Sequence, residues 1–340
     1  METKNKVCIS GLNVIRAFAI VMVMLNHNLR YHIGPLQDAF VVLGKSGVPL
    51  FLLLTGYLNG NKSIEDYYAH GKWKRLWDIL VAYIVLGSLC YWGVRIFNES
   101  PCGIKEYLLK LLSFHATENG WYINMWIGLF MFTPMLNTML ANLRTVKVHK
   151  WGGVEISILT FIAFTCMPAF TNRNGVDILP GYWAICFPLT YYVIGFYIRQ
   201  NTIRIKKKYL MPIVIIILLG EPLANICVNG KDFLYFYGGH DSIVYLVLSV
   251  ALFLLMIDSQ PNSKLFTGTV NMVAELSLYI YLIGYLFDTI FSKTICRGIK
   301  FGESYQYFPF DIGCFALSLA ASFVVAFVYD ALYKWIKKNI

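Results

Sequence analysis

Charge is what this chain has least of. Charged side chains make up 14% of its 340 residues, 57% are hydrophobic, and mean hydropathy is +0.57. Soluble domains carry about 25% charged residues, so a soluble globular protein is excluded. The eight cysteines form no C-x-x-C pair and no zinc spacing, which leaves no basis for a metal centre or a dithiol site. Most lie in apolar runs as small core residues. Cys102 and Cys296 both fall between apolar runs, and a bridge between them stays open. No glycine-rich phosphate loop is present, so an ATP or GTP site of that type is unsupported. No internal repeat is evident, which weighs against a repeat-built transporter. The first apolar run is longer than a signal-peptide core, contains Arg16, and lacks a small-residue cleavage site.

What remains is a series of apolar runs of membrane-spanning length. About ten transmembrane helices are expected, near 8–30, 38–58, 77–97, 121–141, 153–170, 182–199, 209–228, 242–258, 273–291 and 309–333. The expected fold class is an all-α integral membrane protein with no soluble domain. Placing the N-terminus inside puts 18 of the 29 lysines and arginines on the cytoplasmic side and 10, Lys45 among them, on the outer side and its helix ends, with Arg16 within the membrane. That asymmetry predicts N-in and C-in. The net charge of +10 is thereby read as a topology signal, and no nucleic-acid partner is expected. The outer segment 98–120 spaces Ile104, Leu108, Leu111 and Leu112 as a surface-lying helix would.

The first run holds two ionisable groups, Arg16 and His27. Such groups are costly in a bilayer and mark function unless they are paired. Eleven residues at about 100° each fall within about 20° of three whole turns, so the two share a helix face. They stand about 16 Å apart along the axis, roughly half the hydrocarbon thickness. An arginine holds phosphate or polarises a carbonyl; a histidine accepts a proton from a hydroxyl.

The second run reads Gly47-Val-Pro-Leu-Phe-Leu-Leu-Leu-Thr-Gly-Tyr57. Pro49 is expected to break the helix beside a cavity, and Gly47 and Gly56 to permit close helix approach. Lys72-Trp-Lys-Arg75 follows on the expected cytoplasmic face. It suits topology marking and also a grip on phosphates. Glu221, in Gly220-Glu-Pro222, falls at the depth expected of His27 and is a candidate to orient it. Asp288 sits nearer the outer end and is the poorer candidate. His115, Glu118 and Asn119 precede Trp121 on the outer side, where they suit an acceptor entrance. The aromatic stretches Phe233–Asp241 and Tyr305–Phe308 suit sugar stacking or an interfacial belt.

The order Arg-x10-His, then Gly-Val-Pro-Leu-Phe-x-x-x-Thr-Gly-Tyr, then a basic cluster resembles the membrane-bound acyltransferase-3 family, which includes O-acetyltransferases of bacterial polysaccharides. Trp121-Tyr-Ile-Asn-Met-Trp-Ile-Gly-Leu-Phe-Met-Phe-Thr-Pro-Met-Leu-Asn137 and Leu276-Ser-Leu-Tyr-Ile-Tyr-Leu282 extend the likeness over nearly the whole chain. The resemblance implies a single membrane acyltransferase domain over 1–340, a ten-helix fold in the plasma or inner membrane, and acetyl-CoA or another acyl-CoA as donor. It implies a sugar or lipid-linked glycan as acceptor, with membrane lipids as the other partners. Arg16 and His27 match the family's functional pair; Lys72, Lys74 and Arg75 match its donor-binding basic cluster. Two stretches depart from the family pattern. Asp78 and Ala82 stand where an arginine and a proline are common, and Gly284 where a histidine is common. The reading is thus a membrane O-acyltransferase with His27 as base, Arg16 beside the donor and Glu221 assisting. The rivals are a secondary transporter or glycan flippase, and a non-catalytic relative.

Overall fold

A computed structural model describes residues 2–29, 35–60, 62, 65, 67, 72–100, 103–165, 186–229, 239–261, 263–295 and 304–339. Cys102, Cys296 and residues 233–238 lie outside the described residues. The described chain folds into α1 (Glu2–Leu29), α2 (Pro35–Gly44), α3 (Gly47–Asn59), α4 (Lys72–Phe97), α5 (Ile104–Leu112), α6 (Gly120–Leu143), α7 (Gly153–Thr165), α8 (Phe187–Gln200), α9 (Lys207–Asn229), α10 (Ile243–Met256), α11 (Lys264–Ile295) and α12 (Phe308–Asn339). No strand occurs among the described residues.

Among the described residues, seven segments are long and apolar enough to cross a bilayer: Gly11–Leu29, Gln37–Asn59, Trp73–Phe97, Gly120–Leu143, Lys207–Cys227, Lys264–Ile295 and Phe308–Asn339. The protein is an all-α, multi-pass membrane protein. The other three expected spans appear as α7, α8 and α10, of 13, 14 and 14 residues. α7 and α8 border 166–185, outside the described residues, and α10, flanked by described residues, is shorter than the roughly 20 residues that a perpendicular crossing takes.

The second span is interrupted where the sequence suggests, although the break precedes the proline. α2 ends at Gly44, Lys45 and Ser46 form a turn, and Pro49 sits in the first turn of α3, where a missing N–H costs least. The Ser46 hydroxyl donates to the Leu43 carbonyl at 2.6 Å, satisfying an acceptor that the break exposes. Both glycines of this span serve close approach. A Cβ on Gly56 would lie 2.0 Å from the Tyr192 carbonyl oxygen on α8, and one on Gly47 would lie 2.6 Å from the Ala19 carbonyl oxygen on α1. No larger residue permits these crossings.

The core is built from α1, α3, α8, α10 and α11. Ile15, Ile20, Leu50, Leu53, Tyr192, Phe253 and Ile280 are fully buried in one continuous cluster. α5 has no buried residue, and it exposes Ile104, Leu109 and Leu112. That one-sided apolar exposure fits the expected surface-lying helix.

Candidate active site

α1 and α11 run side by side in the same direction, and two buried or half-buried ties fix their register. Asn13 donates to Asn271 at 3.0 Å, and Asn28 donates to Asp288 at 2.8 Å, separations of 258 and 260 residues. Each residue of α1 is therefore level with the α11 residue about 259 positions later. Arg16 stands level with Glu275 and His27 level with Leu286. Asn28 also accepts from Ser318 on α12 at 3.5 Å, so α1, α11 and α12 meet one residue beyond His27.

Arg16 faces a cavity of about 340 Å³. Arg75 at the start of α4 lines the same cavity, and the two like charges lie close enough to repel. Neither guanidinium has a carboxylate within ion-pair distance among the described residues. The one hydrogen bond of the Arg16 side chain is long, 3.5 Å to Asn13. Of the two carboxylates that line the same cavity, Asp78 is engaged by Tyr333 and Lys337, and neither it nor Glu275 is within ion-pair distance of Arg16 or Arg75. An anion with several acceptor oxygens suits the two guanidiniums.

The remaining walls are Val48, Phe51, Leu54 and Thr55 from α3, Tyr122 and Trp126 from α6, and Ser277, Tyr279 and Tyr281 from α11. Each of the three motif segments read in the sequence thus contributes to one cavity with Arg16. Sequence reasoning quoted the late serine–tyrosine stretch but did not single out its side chains. The signal was present: Ser277, Tyr279 and Tyr281 interrupt an otherwise aliphatic run.

The basic cluster divides. Both Lys74 and Arg75 are exposed, but Arg75 lines the cavity and Lys74 is not among its walls. The Lys72 side chain lies outside the described residues.

The two departures from the family pattern have local explanations. Asp78 lines the cavity but is occupied, accepting from the Tyr333 hydroxyl at 2.7 Å and pairing with Lys337, both on α12. A Cβ on Gly284 would lie 2.6 Å from the Met24 sulfur, so α11 packs closely on the Met24 side chain of α1 there.

Glu221 is not brought to His27. It is 2% exposed and accepts from Tyr245 at 3.2 Å, in a cluster with Asp38, Lys45 and Asn225. The cause is azimuth, since α9 packs on α2 and α10 rather than on α1. Lys45, read in the sequence as an outer-side charge, is turned inward by the break at Ser46. It lies 8% exposed, with its ammonium 5.1 Å from the Tyr245 ring centre and near Glu221, Asp38 and Asp241. Asn225 donates to Asp38 at 2.7 Å. Burial, with the Lys45 charge adding, pushes His240 down to about 4. Its Nδ1–H, carried by the neutral ring, then donates to the Lys45 carbonyl at 2.9 Å.

His27 is half-buried, three turns outward from Arg16 along α1. At its level lies a second cavity of about 260 Å³ that includes Glu118, His115 and Tyr285. Asn119, also read as an entrance residue, instead turns inward and donates to the Tyr281 carbonyl at 2.6 Å.

No curated protein and no solved structure matches the chain. A family model described as an acyltransferase domain matches residues 9–327. That match starts before Arg16 and ends within α12, so it takes in both cavities and every span between them. The chain belongs to the acyltransferase-3 family, and the protein is an acyltransferase.

Proposed function

We propose that the protein transfers an acyl group, acetyl in the simplest case, from a cytoplasmic acyl-CoA to a hydroxyl of a sugar or cell-envelope glycan. The observation that carries this reading is the convergence of Arg16 and Arg75, neither in an ion pair with the cavity's Asp78 or Glu275, on a cavity with an apolar wall. Phosphate groups of the donor neutralise the two guanidiniums, and the extended thioester arm lies along Val48, Phe51 and Leu54 toward the outer half. The about 16 Å between Arg16 and His27 is then the reach of that arm.

At the outer end His27 takes the proton of the acceptor hydroxyl as its oxygen attacks the thioester carbonyl. The carbon–sulfur bond breaks, the coenzyme A thiolate leaves, and the imidazolium returns the proton to it. No covalent enzyme intermediate is needed. Polar groups near the carbonyl stabilise its developing negative charge.

The bias of lysine and arginine sets the Arg16 end and both termini in the cytoplasm of a cell that holds the protein in its plasma or inner membrane. In this orientation the apolar runs 153–170, 182–199 and 242–258, which correspond to α7, α8 and α10, are the remaining three of ten crossings. Purified protein in lipid nanodiscs, given labelled acetyl-CoA, is expected to bind the donor and release coenzyme A, with label passing to a glycan acceptor. Wild-type protein that neither binds acetyl-CoA nor turns it over would sink this reading.

A further inference from the structure

Asp78 is an acid in a wall that is to receive an anion. It stands one turn past Arg75 on α4, and both line the inner cavity. Side chains three apart on a helix are neighbours, and opposite charges at that spacing attract. Left to itself, Asp78 would pair with Arg75 and compete with an incoming phosphate for the guanidinium. Two residues near the end of α12 engage it instead. The Tyr333 hydroxyl donates to Asp78 Oδ1 at 2.7 Å, and the Lys337 ammonium donates to the same oxygen.

These contacts belong to a stripe. Tyr329, Tyr333 and Lys337 recur every four residues and share one face of α12. The Tyr329 and Tyr333 rings stack nearly parallel, 5.7 Å between centres, and the Lys337 ammonium lies 4.7 Å from the Tyr333 ring centre. At its other end Tyr329 meets the Tyr279 ring edge-on at 4.8 Å, and Tyr279 is a cavity wall on α11. The stripe thus runs from one wall of the cavity to another, Asp78. Lys334, one turn before Lys337, pairs with Asp330 and lies near Glu275, the cavity's second carboxylate. The end of α12 therefore brings a lysine to each acid in the cavity wall. Residues 329–337 lie past the segment that the acyltransferase model matches, and Asp78 departs from the family pattern, so neither half of the contact follows from family membership. Lys337 and Asp78 are 37% and 33% exposed. A pair so open to solvent contributes little to folding. Its consequence is local: it answers the carboxylate from outside the cavity.

We infer that Tyr333 and Lys337 are positioning residues for donor binding: they hold Asp78 off Arg75, so that both cavity guanidiniums stay available to the donor's phosphates. This rests on the donor reading above and adds to it a latch in the last turns of α12. When the latch is broken, the freed carboxylate turns to Arg75, and the donor must displace it.

A double-mutant cycle read by calorimetry with coenzyme A, on the full chain in nanodiscs, tests this. Lys337→Met keeps most of the side chain and removes its charge. It should weaken binding about fivefold or more, with the melting midpoint kept. In the Asp78→Asn background the same substitution should change affinity by less than about twofold, because no carboxylate is left to release. Tyr333→Phe keeps the stacked ring and loses only the hydroxyl. It should weaken binding about threefold, and that effect too should vanish in the Asp78→Asn background. In turnover, Lys337→Met should raise KM for acetyl-CoA and keep kcat, a split that a general loosening of the fold does not produce. Equal losses from Lys337→Met in both backgrounds would show a diffuse charge effect and overturn the inference, as would a Lys337→Met protein that binds like wild type. Wild-type protein that binds no coenzyme A removes the donor reading itself, and the inference with it.

Discussion

Asn28 on α1 donates a 2.8 Å hydrogen bond to Asp288 on α11, and both side chains are almost fully buried. This bond, with the Asn13–Asn271 tie, holds two parallel helices in one register. It stands one residue from His27. Asn28→Ala removes the donor and leaves a carboxylate oxygen without it in a dry environment. The expected loss is about 1–3 kcal/mol. The thermal midpoint in nanodiscs should fall, and turnover should fall further than donor affinity, since the displaced group is His27 and not Arg16. An unchanged midpoint would mean that the tie contributes nothing.

The inner cavity separates the members of the basic cluster. Arg16→Ala and Arg75→Ala each remove a guanidinium that lines it. A charge-assisted bond contributes about 1.5–3 kcal/mol, so each variant should bind coenzyme A at least tenfold more weakly by calorimetry. Lys74→Ala removes an exposed charge outside the cavity and should cost at most about 1 kcal/mol. Equal losses for Lys74→Ala and Arg75→Ala would contradict the placement of the donor phosphates.

Close helix approach at α3 has its own test. Gly56→Ala drives a methyl to 2.0 Å from the Tyr192 carbonyl oxygen, and backbone cannot yield as a side-chain tip can. Overpacking of this kind costs about 1–3 kcal/mol or more. Gly128→Ala, where nothing lies within 4 Å of the added carbon, is the control and should keep or raise stability. Comparable melting of both variants would argue against the α3–α8 contact.

Much of this arrangement was legible in the sequence, and the parts that were not share a physical cause. Period and composition fix which residues share one helix face, so the Arg16–His27 relation and the glycine contacts at Gly47 and Gly56 could be read directly. Depth within a span is legible too, because rise per residue is constant. Azimuth between helices is not. Glu221 has a depth like that of His27, yet packing of α9 on α2 and α10 directs it to Tyr245, Asn225 and Lys45. Lys45 itself was counted with the outer charges because hydropathy does not reveal that a two-residue break turns a side chain inward. Asp78 looked like a lost arginine; its partners lie 255 and 259 residues away on α12, beyond any local pattern.

Orientation is open to chemical labelling. A cysteine placed at Lys207 should be shielded from an impermeant reagent added outside intact cells, and one placed at Gly230 should react. The reverse pattern would invert the bundle and exchange the donor and acceptor sides.

The sharpest contrast is between His27 and Glu221. In the proposed mechanism a general base contributes about 10²–10⁴-fold to the rate, so His27→Ala should lose that factor while donor affinity and the melting midpoint are kept. Glu221 accepts from Tyr245 and belongs to the Lys45 cluster. Glu221→Gln therefore should leave the pH profile of turnover unchanged. Its effect should appear as a shift in stability, because it alters the charge balance around a buried ammonium. Two measurements separate the roles. A displaced pH profile in Glu221→Gln, with normal melting, would restore the carboxylate to the imidazole. Normal transfer by His27→Ala would remove the base and require another group at the level of Leu286 to take the hydroxyl proton.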